Sequence, residues 1–213
     1  NNFFKLTKMS FESLLADPDN TMTSIIQRVA TGPEMSKSIS YDEARAGMRI
    51  VLDGHADPIQ AAVFLIGLRV KRETDEENKG ILQGIIDKTQ ILQTDVDELV
   101  DIADPYNGYG RSLPSSPFLP VLLAELGIPS VSHGIETVAP KFGVTHSQVL
   151  KAAGKNVNLS LEKIGEQLNN PEIGWSYADQ CNYCPSLFSL VEFRKRIVKR
   201  AAISTAEVLT GPI

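Results

Sequence analysis

Asp104-Pro105-Tyr106-Asn107-Gly108-Tyr109-Gly110-Arg111 and, further along, Ser132-His133-Gly134 are the two stretches that decide the fold. Each closes a short apolar run, Leu99–Ile102 in the first case and Ile128–Val131 in the second, and both runs are predicted to be buried strands. The segment between them, Phe118 to Leu126, is predicted to be a helix. A strand, helix, strand order implies parallel strands with both loops at their carboxyl ends, where open α/β sheets bind ligands. We therefore expect the ligand site at these two loops.

Composition limits the class of protein. The chain has 213 residues, 42% of them hydrophobic, which is enough for a real core. No apolar run is long enough to span a membrane, and no basic-then-apolar signal peptide opens the chain. Two cysteines cannot form a disulfide framework, so we expect a reducing compartment such as the cytoplasm or the plastid stroma.

The first part of the chain, residues 1–93, predicts a small helical domain. Helix starts are indicated by Thr23, by the capping-box spacing of Ser40 and Glu43, by Asp57-Pro58, and by a further cap at Thr74. The helix from Ile59 to Val70 is apolar almost all round and is expected to be buried. In so thin a layer this predicts a homodimer through the amino-terminal helices.

The second part, residues 94–213, predicts the start of a parallel-sheet α/β domain. Helices are expected at Thr145–Ala153 and Leu161–Leu168, and a third strand at Ile173–Tyr177. A long helix is expected from Pro185 to Arg200, followed by a short one at Ser204–Leu209. The predicted fold class is thus α/β, with a helical amino-terminal domain and the first part of a parallel sheet.

The order of these segments resembles a known family. The helical segment Ala61–Thr74, followed by strand, loop, helix, strand and His133-Gly134, is similar to the anthranilate phosphoribosyltransferases, of glycosyltransferase family 3 and the nucleoside-phosphorylase type. The resemblance extends from about Thr23 over nearly the whole chain. It implies transfer of a ribose 5-phosphate unit from phosphoribosyl pyrophosphate to an amine, with magnesium as the cofactor if the protein is an enzyme.

The chain also departs from that family. The enzymes carry a Gly-Thr-Gly-Gly-Asp loop after the first strand, whose backbone amides cradle pyrophosphate. Here Pro105 has no N–H to donate, Tyr106 fills space, and Glu136 places a negative charge where an anion binds. A divergent branch of the family, whose bacterial members are associated with nucleic-acid binding as dimers, is resembled more closely by three features: the Tyr106-Asn107-Gly108 loop, the segment from Pro114 to Leu123 and the Cys184-Pro185 helix start. We expect phosphoribosyl transfer to be degenerate or lost; the alternative is a non-catalytic dimer that binds nucleic acid or a protein partner.

The expected ligand-binding residues come from the two loops and one helix. A buried arginine needs an anion or a carboxylate. Arg194 is expected to point inward from an apolar helix face, to a ligand as the resemblance implies or to an internal salt bridge. His133 is either a donor to a ligand or a residue that closes its loop. The full set is Asp104, Tyr106, Asn107, Gly108, Arg111, His133, Gly134, Lys141 and Arg194.

Charge is uneven along the chain, although the formal net charge is -5. Arg72 to Asp104 carries ten acidic and three basic residues, whereas Lys141 to Arg200 carries nine basic and five acidic ones. On the predicted long helix, four basic residues face away from Arg194; they form either a nucleic-acid contact or a solvated face. These four are Lys195, Arg196, Lys199 and Arg200. No metal site is expected, because Cys181 and Cys184 are a lone pair and the three histidines are scattered.

Overall fold

The structure, a computed structural model, describes residues 9–32, 34–104 and 106–213. Pro105, whose missing N–H enters the argument above, lies outside the described residues. The chain divides into two compact units. The first contains the described residues up to Lys88 together with Glu192–Thr210, and the second contains Thr89–Val191 and Gly211–Ile213. The predicted division at residue 93 lies close to Lys88, but Glu192–Thr210, assigned above to the α/β part, packs with the helical unit.

Five helices form the amino-terminal part of the first unit: α1 Phe11–Ala16, α2 Pro18–Val29, α3 Tyr41–Leu52, α4 Pro58–Lys71 and α5 Asp75–Ile86. The capping boxes at Ser40 and Thr74 are formed as expected. The cap expected at Thr23 is wrong, because α2 begins at Pro18 with the Asp17 side chain accepting the Asn20 N–H. An Asp-Pro pair with proline at the first helical position provides a stronger start than a mid-helix threonine.

Only one face of α4 is buried, contrary to the expectation of burial all round. Phe64, Leu65 and Leu68 are fully enclosed, whereas Ile59 is 75% and Val70 73% exposed. The buried face packs on α2. The helix therefore leaves an apolar strip on the surface of this unit.

The second unit contains a parallel three-stranded sheet in the order β1 Val100–Ala103, β2 Ser130–Gly134 and β3 Trp175–Asp179. Each strand begins one or two residues later than predicted, because short apolar runs do not mark strand ends. One consequence matters for the site. His133 and Gly134 were expected in the loop after the strand, but both lie inside β2, which is buried along its whole length.

Helices of the second unit are α6 Leu119–Glu125, α7 His146–Ala152, α8 Leu161–Asn169, α9 Gln180–Tyr183 and α10 Pro185–Phe188. The side chains of Thr145 and Ser160 cap α7 and α8. Helix α6 packs on β2 and β3, α7 on β2, and α8 on β3. In the described part of the chain, none of the helices is both long and apolar enough to cross a membrane.

The long helix expected from Pro185 to Arg200 is wrong. The chain instead forms α10 and then α11, Val191–Ile197, followed by α12, Ile203–Ala206, and a 3-10 turn at Glu207–Leu209. The Ser189 hydroxyl donates to the Ser186 carbonyl oxygen where α10 ends, and local bonds of this kind compete with helix continuation. Val198 has a φ of 66°, which ends α11 before Lys199 and Arg200.

Candidate ligand site at the strand ends

The carboxyl ends of the three strands meet at one edge of the sheet. Ala103 is in register with His133, and Gly134 with Asp179. Asp104 directly follows β1, so carboxyl groups stand at the ends of the first and third strands. Parallel pairing is what brings these residues together from three distant parts of the chain.

The Tyr106 side chain fills the space behind the loop that follows β1. Its ring is fully buried, and its hydroxyl is 2.7 Å from His133 Nδ1. The same hydroxyl bonds the hydroxyl of Tyr183, which lies 3.4 Å from the same histidine nitrogen. On its other side, His133 Nε2 is 3.3 Å from Asp101 Oδ1. The histidine expected to contact a ligand is thus engaged by side chains of the protein itself.

Asp104 is a buried carboxyl group that holds the start of α7. Its Oδ2 accepts the backbone N–H of His146 at 2.7 Å. Burial raises the pKa of Asp104 to about 6, although the His146 N–H bond and the charge of His133 act in the opposite direction. A Cβ at Gly134 would lie 2.8 Å from the Asp104 Cβ, so β2 must end in glycine for the carboxyl group to fit.

A polar chain runs from the loop after β1 to α7. Tyr109 Oη lies 3.0 Å from Ser116 Oγ, which lies 2.7 Å from His146 Nε2. The Tyr109 and His146 rings also stack, with centroids 6.4 Å apart. Burial and, to a smaller extent, the neighbouring charge of His133 together lower the pKa of His146 to about 4, so the imidazole is neutral at pH 7. These hydrogen bonds connect the loop after β1 to α7.

The same loop is closed by backbone packing. Tyr109 forms an antiparallel bridge with Val144, and the Asn107 carbonyl oxygen accepts the Gly143 N–H at 2.9 Å. Gly108 has a φ of +73°, and a Cβ there would collide with the backbone of Gly143. Asn107 is accordingly buried, whereas Arg111 and Lys141, which were expected beside it as ligand contacts, are exposed.

A crevice lies beyond the carboxyl ends of β2 and β3. It encloses about 300 Å³ between Glu136, Lys151, Asp179 and apolar side chains. Glu136 and Lys151 form an exposed ion pair at 2.7 Å. Burial raises the pKa of Asp179. The pKa of Cys181 rises to about 12, first through burial and then through Asp179, which keeps this thiol protonated.

Arg194 forms an internal salt bridge in the helical unit. Its guanidinium donates to both carboxylate oxygens of Glu207, at 2.6 and 2.7 Å, and to the Ser204 hydroxyl. Both charged side chains are almost fully buried. Of the two partners considered from the sequence, a ligand and an internal carboxylate, the structure contains the second, supplied by Glu207.

The four basic residues after Arg194 are all exposed, but they do not share one helix face. Lys195 and Arg196 belong to α11, whereas Lys199 and Arg200 follow its end. The Arg200 guanidinium donates to the Ser204 carbonyl oxygen. Their grouping on a single helical wheel was wrong because the helix stops at Ile197.

Metal-binding groups and site residues that the sequence analysis missed are considered in turn. Within residues 9–32, 34–104 and 106–213, no group of three or more His, Cys, Asp or Glu side chains is arranged to hold a metal ion. Ser116 and Tyr183 were not predicted at the site, and His146 was treated as a scattered histidine. The one sequence signal for any of these three residues was the Thr145 cap, which places His146 at a helix start.

The helical bundle of the first unit is similar to one found in a class of glycosyl transferases. A family model described as "Glycosyl transferase family, helical bundle domain" matches residues 23–89. An anthranilate phosphoribosyltransferase from Saccharomyces cerevisiae in complex with PRPP and Mg superposes with a TM-score of 0.72 at 12% identity, over 91% of this chain and 56% of that one.

The curated proteins with similar sequences include anthranilate phosphoribosyltransferases. An uncharacterized protein of Aquifex aeolicus is 29% identical over 176 residues, which make up 83% of this chain and 52% of that protein. An anthranilate phosphoribosyltransferase of Polaromonas is 28% identical over 177 residues, 83% of this chain and 50% of the enzyme. The chain is thus similar to anthranilate phosphoribosyltransferases in sequence and in fold, and it spans about half the length of the curated relatives it matches.

Proposed function

We propose that this protein keeps the fold of the family but does not transfer a phosphoribosyl group to anthranilate. The observation that carries the proposal is the Tyr106 side chain, fully buried and bonded to His133 at 2.7 Å. A pyrophosphate cradle needs free backbone amides and open space in front of them. Here the N–H groups of Tyr106 and Tyr109 are bonded to the carbonyl oxygens of Asp104 and Val144, both at 2.8 Å, and His133 beside the Tyr106 ring is already bonded.

Charge at the strand ends supports the same proposal. Glu136 and Asp179 contribute carboxyl groups to the crevice, and Lys151 is paired with Glu136. Asp104 stands buried directly behind the loop. A pyrophosphate carries several negative charges, which these carboxylates would repel.

The test is turnover of anthranilate with phosphoribosyl pyrophosphate and magnesium by the intact protein. We expect no product above the uncatalysed background, and no heat of phosphoribosyl pyrophosphate binding by calorimetry. Magnesium is expected to matter only if turnover is found. Turnover on the order of 1 per second, an ordinary enzymatic rate, would contradict the proposal.

A second candidate function is sequence-tolerant nucleic-acid binding, favoured by the exposed basic residues. Lys195, Arg196 and Lys199 are all exposed, and the nearest carboxylate to Lys195 is that of Glu192 at 3.9 Å. Such residues bind phosphates by releasing counterions, so the affinity would fall steeply with salt. Titration with single- and double-stranded oligonucleotides at low salt tests this.

The matched variants separate a used surface from a solvated one. Reversing the charges of Lys195 and Lys199 should lower oligonucleotide affinity and flatten its salt dependence, since fewer counterions are released. Reversing Lys79 and Lys163, equally exposed lysines elsewhere in the chain, should change little. Equal losses from both pairs would point to a nonspecific charge effect, and no binding at all would leave a protein partner as the alternative.

The exposed strip on α4 supports a homodimer through the amino-terminal helices. Ile59 and Val70 lie open on this helix, and Val63 and Ile66 line an apolar groove of about 260 Å³ beside the end of α2. Burying such a strip against its copy removes apolar surface from water. Light scattering at micromolar concentration should show a dimer, and Val70→Asp should shift it towards monomer; a wild-type monomer would contradict the proposal.

The compartment is proposed to be reducing, such as the cytoplasm or the plastid stroma. The chain has only two cysteines, too few for a disulfide framework. A chain without such a framework suits a reducing compartment.

A further inference from the structure

A separate cavity opens beside Trp175, at the amino-terminal end of β3 and therefore at the opposite end of that strand from the carboxyl-end site. It encloses about 330 Å³. Its polar lining comes from Lys155, Asn156, Gln167 and Glu172. All of these residues belong to the second compact unit. Nothing in the proposed function uses them.

The tryptophan provides a fixed aromatic surface. Trp175 is half-buried and packs against a small apolar cluster formed by Leu150, Val157 and Tyr177. The Lys155 ammonium lies over the ring, 5.9 Å from its centroid. Lys155 is itself exposed. A flat apolar ring and a cation are thus presented within 5.9 Å of each other.

The two amides of the cavity are oriented as donors. Gln167 Oε1 accepts the Ser176 hydroxyl at 2.8 Å, and Asn156 Oδ1 accepts a backbone N–H at 3.0 Å. With both amide oxygens engaged, the NH₂ groups remain to donate to a ligand. Together with the Lys155 ammonium they make the lining rich in donors, and Glu172 provides the carboxylate acceptor. A ligand that carries negative charge and acceptor atoms, with one donor group, matches this set.

We propose that the cavity binds a planar aromatic ring that carries an anionic group, with the dimensions of a purine mononucleotide. The base would pack on Trp175 and the phosphate would pair with Lys155. The ring nitrogens of the base would accept hydrogen bonds from the two side-chain amides, and an exocyclic amine of the base would donate to Glu172. Aromatic side chains are platforms on which nucleobases stack. The volume falls within the range of small-molecule pockets, about 300–1,000 Å³.

Tryptophan fluorescence is the direct probe, because Trp175 is the single tryptophan of the chain. Titration of the intact protein with 5′-AMP should quench the emission in a saturable way. Adenosine lacks the anion and ribose 5-phosphate lacks the ring, so each should bind roughly tenfold or more weakly. Absence of saturable quenching by 5′-AMP would overturn the proposal, as would equal responses to all three compounds.

Two lysine variants separate the site from general charge. Lys155→Gln should weaken 5′-AMP binding by roughly tenfold and leave adenosine unaffected. Lys163→Gln, an exposed lysine on α8 paired with Glu166, should leave both unchanged. Equal affinity of Lys155→Gln and wild type for 5′-AMP would overturn the assignment. Calorimetry should show that Trp175→Phe, which keeps an aromatic ring in the cavity, still binds 5′-AMP.

A short unphosphorylated oligoadenylate distinguishes the two sources of such a ligand. If 5′-AMP binds at least as tightly per site as the oligonucleotide, the ligand is a free mononucleotide, as proposed. If only the oligonucleotide quenches the emission, the mononucleotide assignment is wrong and the cavity contacts a strand.

Discussion

Replacing Asp104 by asparagine should stabilise the protein at pH 7 and have little effect at pH 4. Burial raises the pKa of this carboxyl group from 3.8 to about 6. The folded protein therefore favours the protonated form, and the stability this contributes is present below pH 3.8 and lost as the pH rises through about 6. A shift of roughly two pKa units corresponds to about 3 kcal/mol. Asparagine keeps an oxygen for the His146 N–H and carries no charge to bury.

His146 contributes with the opposite sign over nearly the same range. Its pKa is lowered to about 4, first by burial and then by the charge of His133. The stability from the neutral imidazole is present above pH 6.5 and lost as the pH falls through about 4. In the wild type the two slopes oppose each other between about pH 4 and 6. Without Asp104, the slope from His146 should be exposed, and stability should rise steeply with pH.

Urea denaturation at half-unit steps from pH 4 to 7.5 measures this. The gain of Asp104→Asn over wild type should grow from near zero to about 3 kcal/mol across that range. Asp97→Asn, at an exposed aspartate of the same unit, is the matched control, and the gain of Asp104→Asn is measured relative to it at each pH. A constant difference between Asp104→Asn and wild type would show that burial does not disfavour the carboxylate, and would refute the reasoning.

Two further predictions concern the buried ion pair and the closed loop. Arg194→Met should lower the free energy of unfolding by about 3–5 kcal/mol, because the Glu207 carboxylate stays buried without its partner, whereas Lys195→Met at the exposed neighbour should cost little. The double variant Arg194→Met/Glu207→Leu should recover most of the loss in urea denaturation; no recovery would show that the charge pair is not the cause. Gly108→Ala should lower the melting temperature, because its φ of +73° and the backbone opposite leave no place for a methyl group, whereas Gly110→Ala, with open space around it, should be nearly neutral. Equal melting temperatures for the two alanine variants would mean that the loop is not packed as described.

Local chemistry made the helical layer predictable. The capping boxes at Ser40 and Thr74 and the proline start at Asp57 are decided by residues within a few positions of one another, and all three helices begin there. The strand, helix, strand order also made the parallel sheet predictable, because a right-handed crossover leaves few alternatives. The resemblance carried by Ala61–Thr74 and His133-Gly134 predicted, from the same segments, the similarity to anthranilate phosphoribosyltransferases.

Contacts between distant parts of the chain decided the rest. The sequence placed Tyr106 in a loop, but only packing shows its hydroxyl on His133, 27 positions away. Arg194 was recognised as inward-pointing, yet its partner Glu207 follows only because α11 stops at Ile197 and the chain folds back through α12. The spacing of apolar residues indicates which residues face the core, and local polar residues indicate where a helix can end. Neither pattern indicates register, side-chain direction or which buried charges meet, because those depend on the free energy of the whole packed unit.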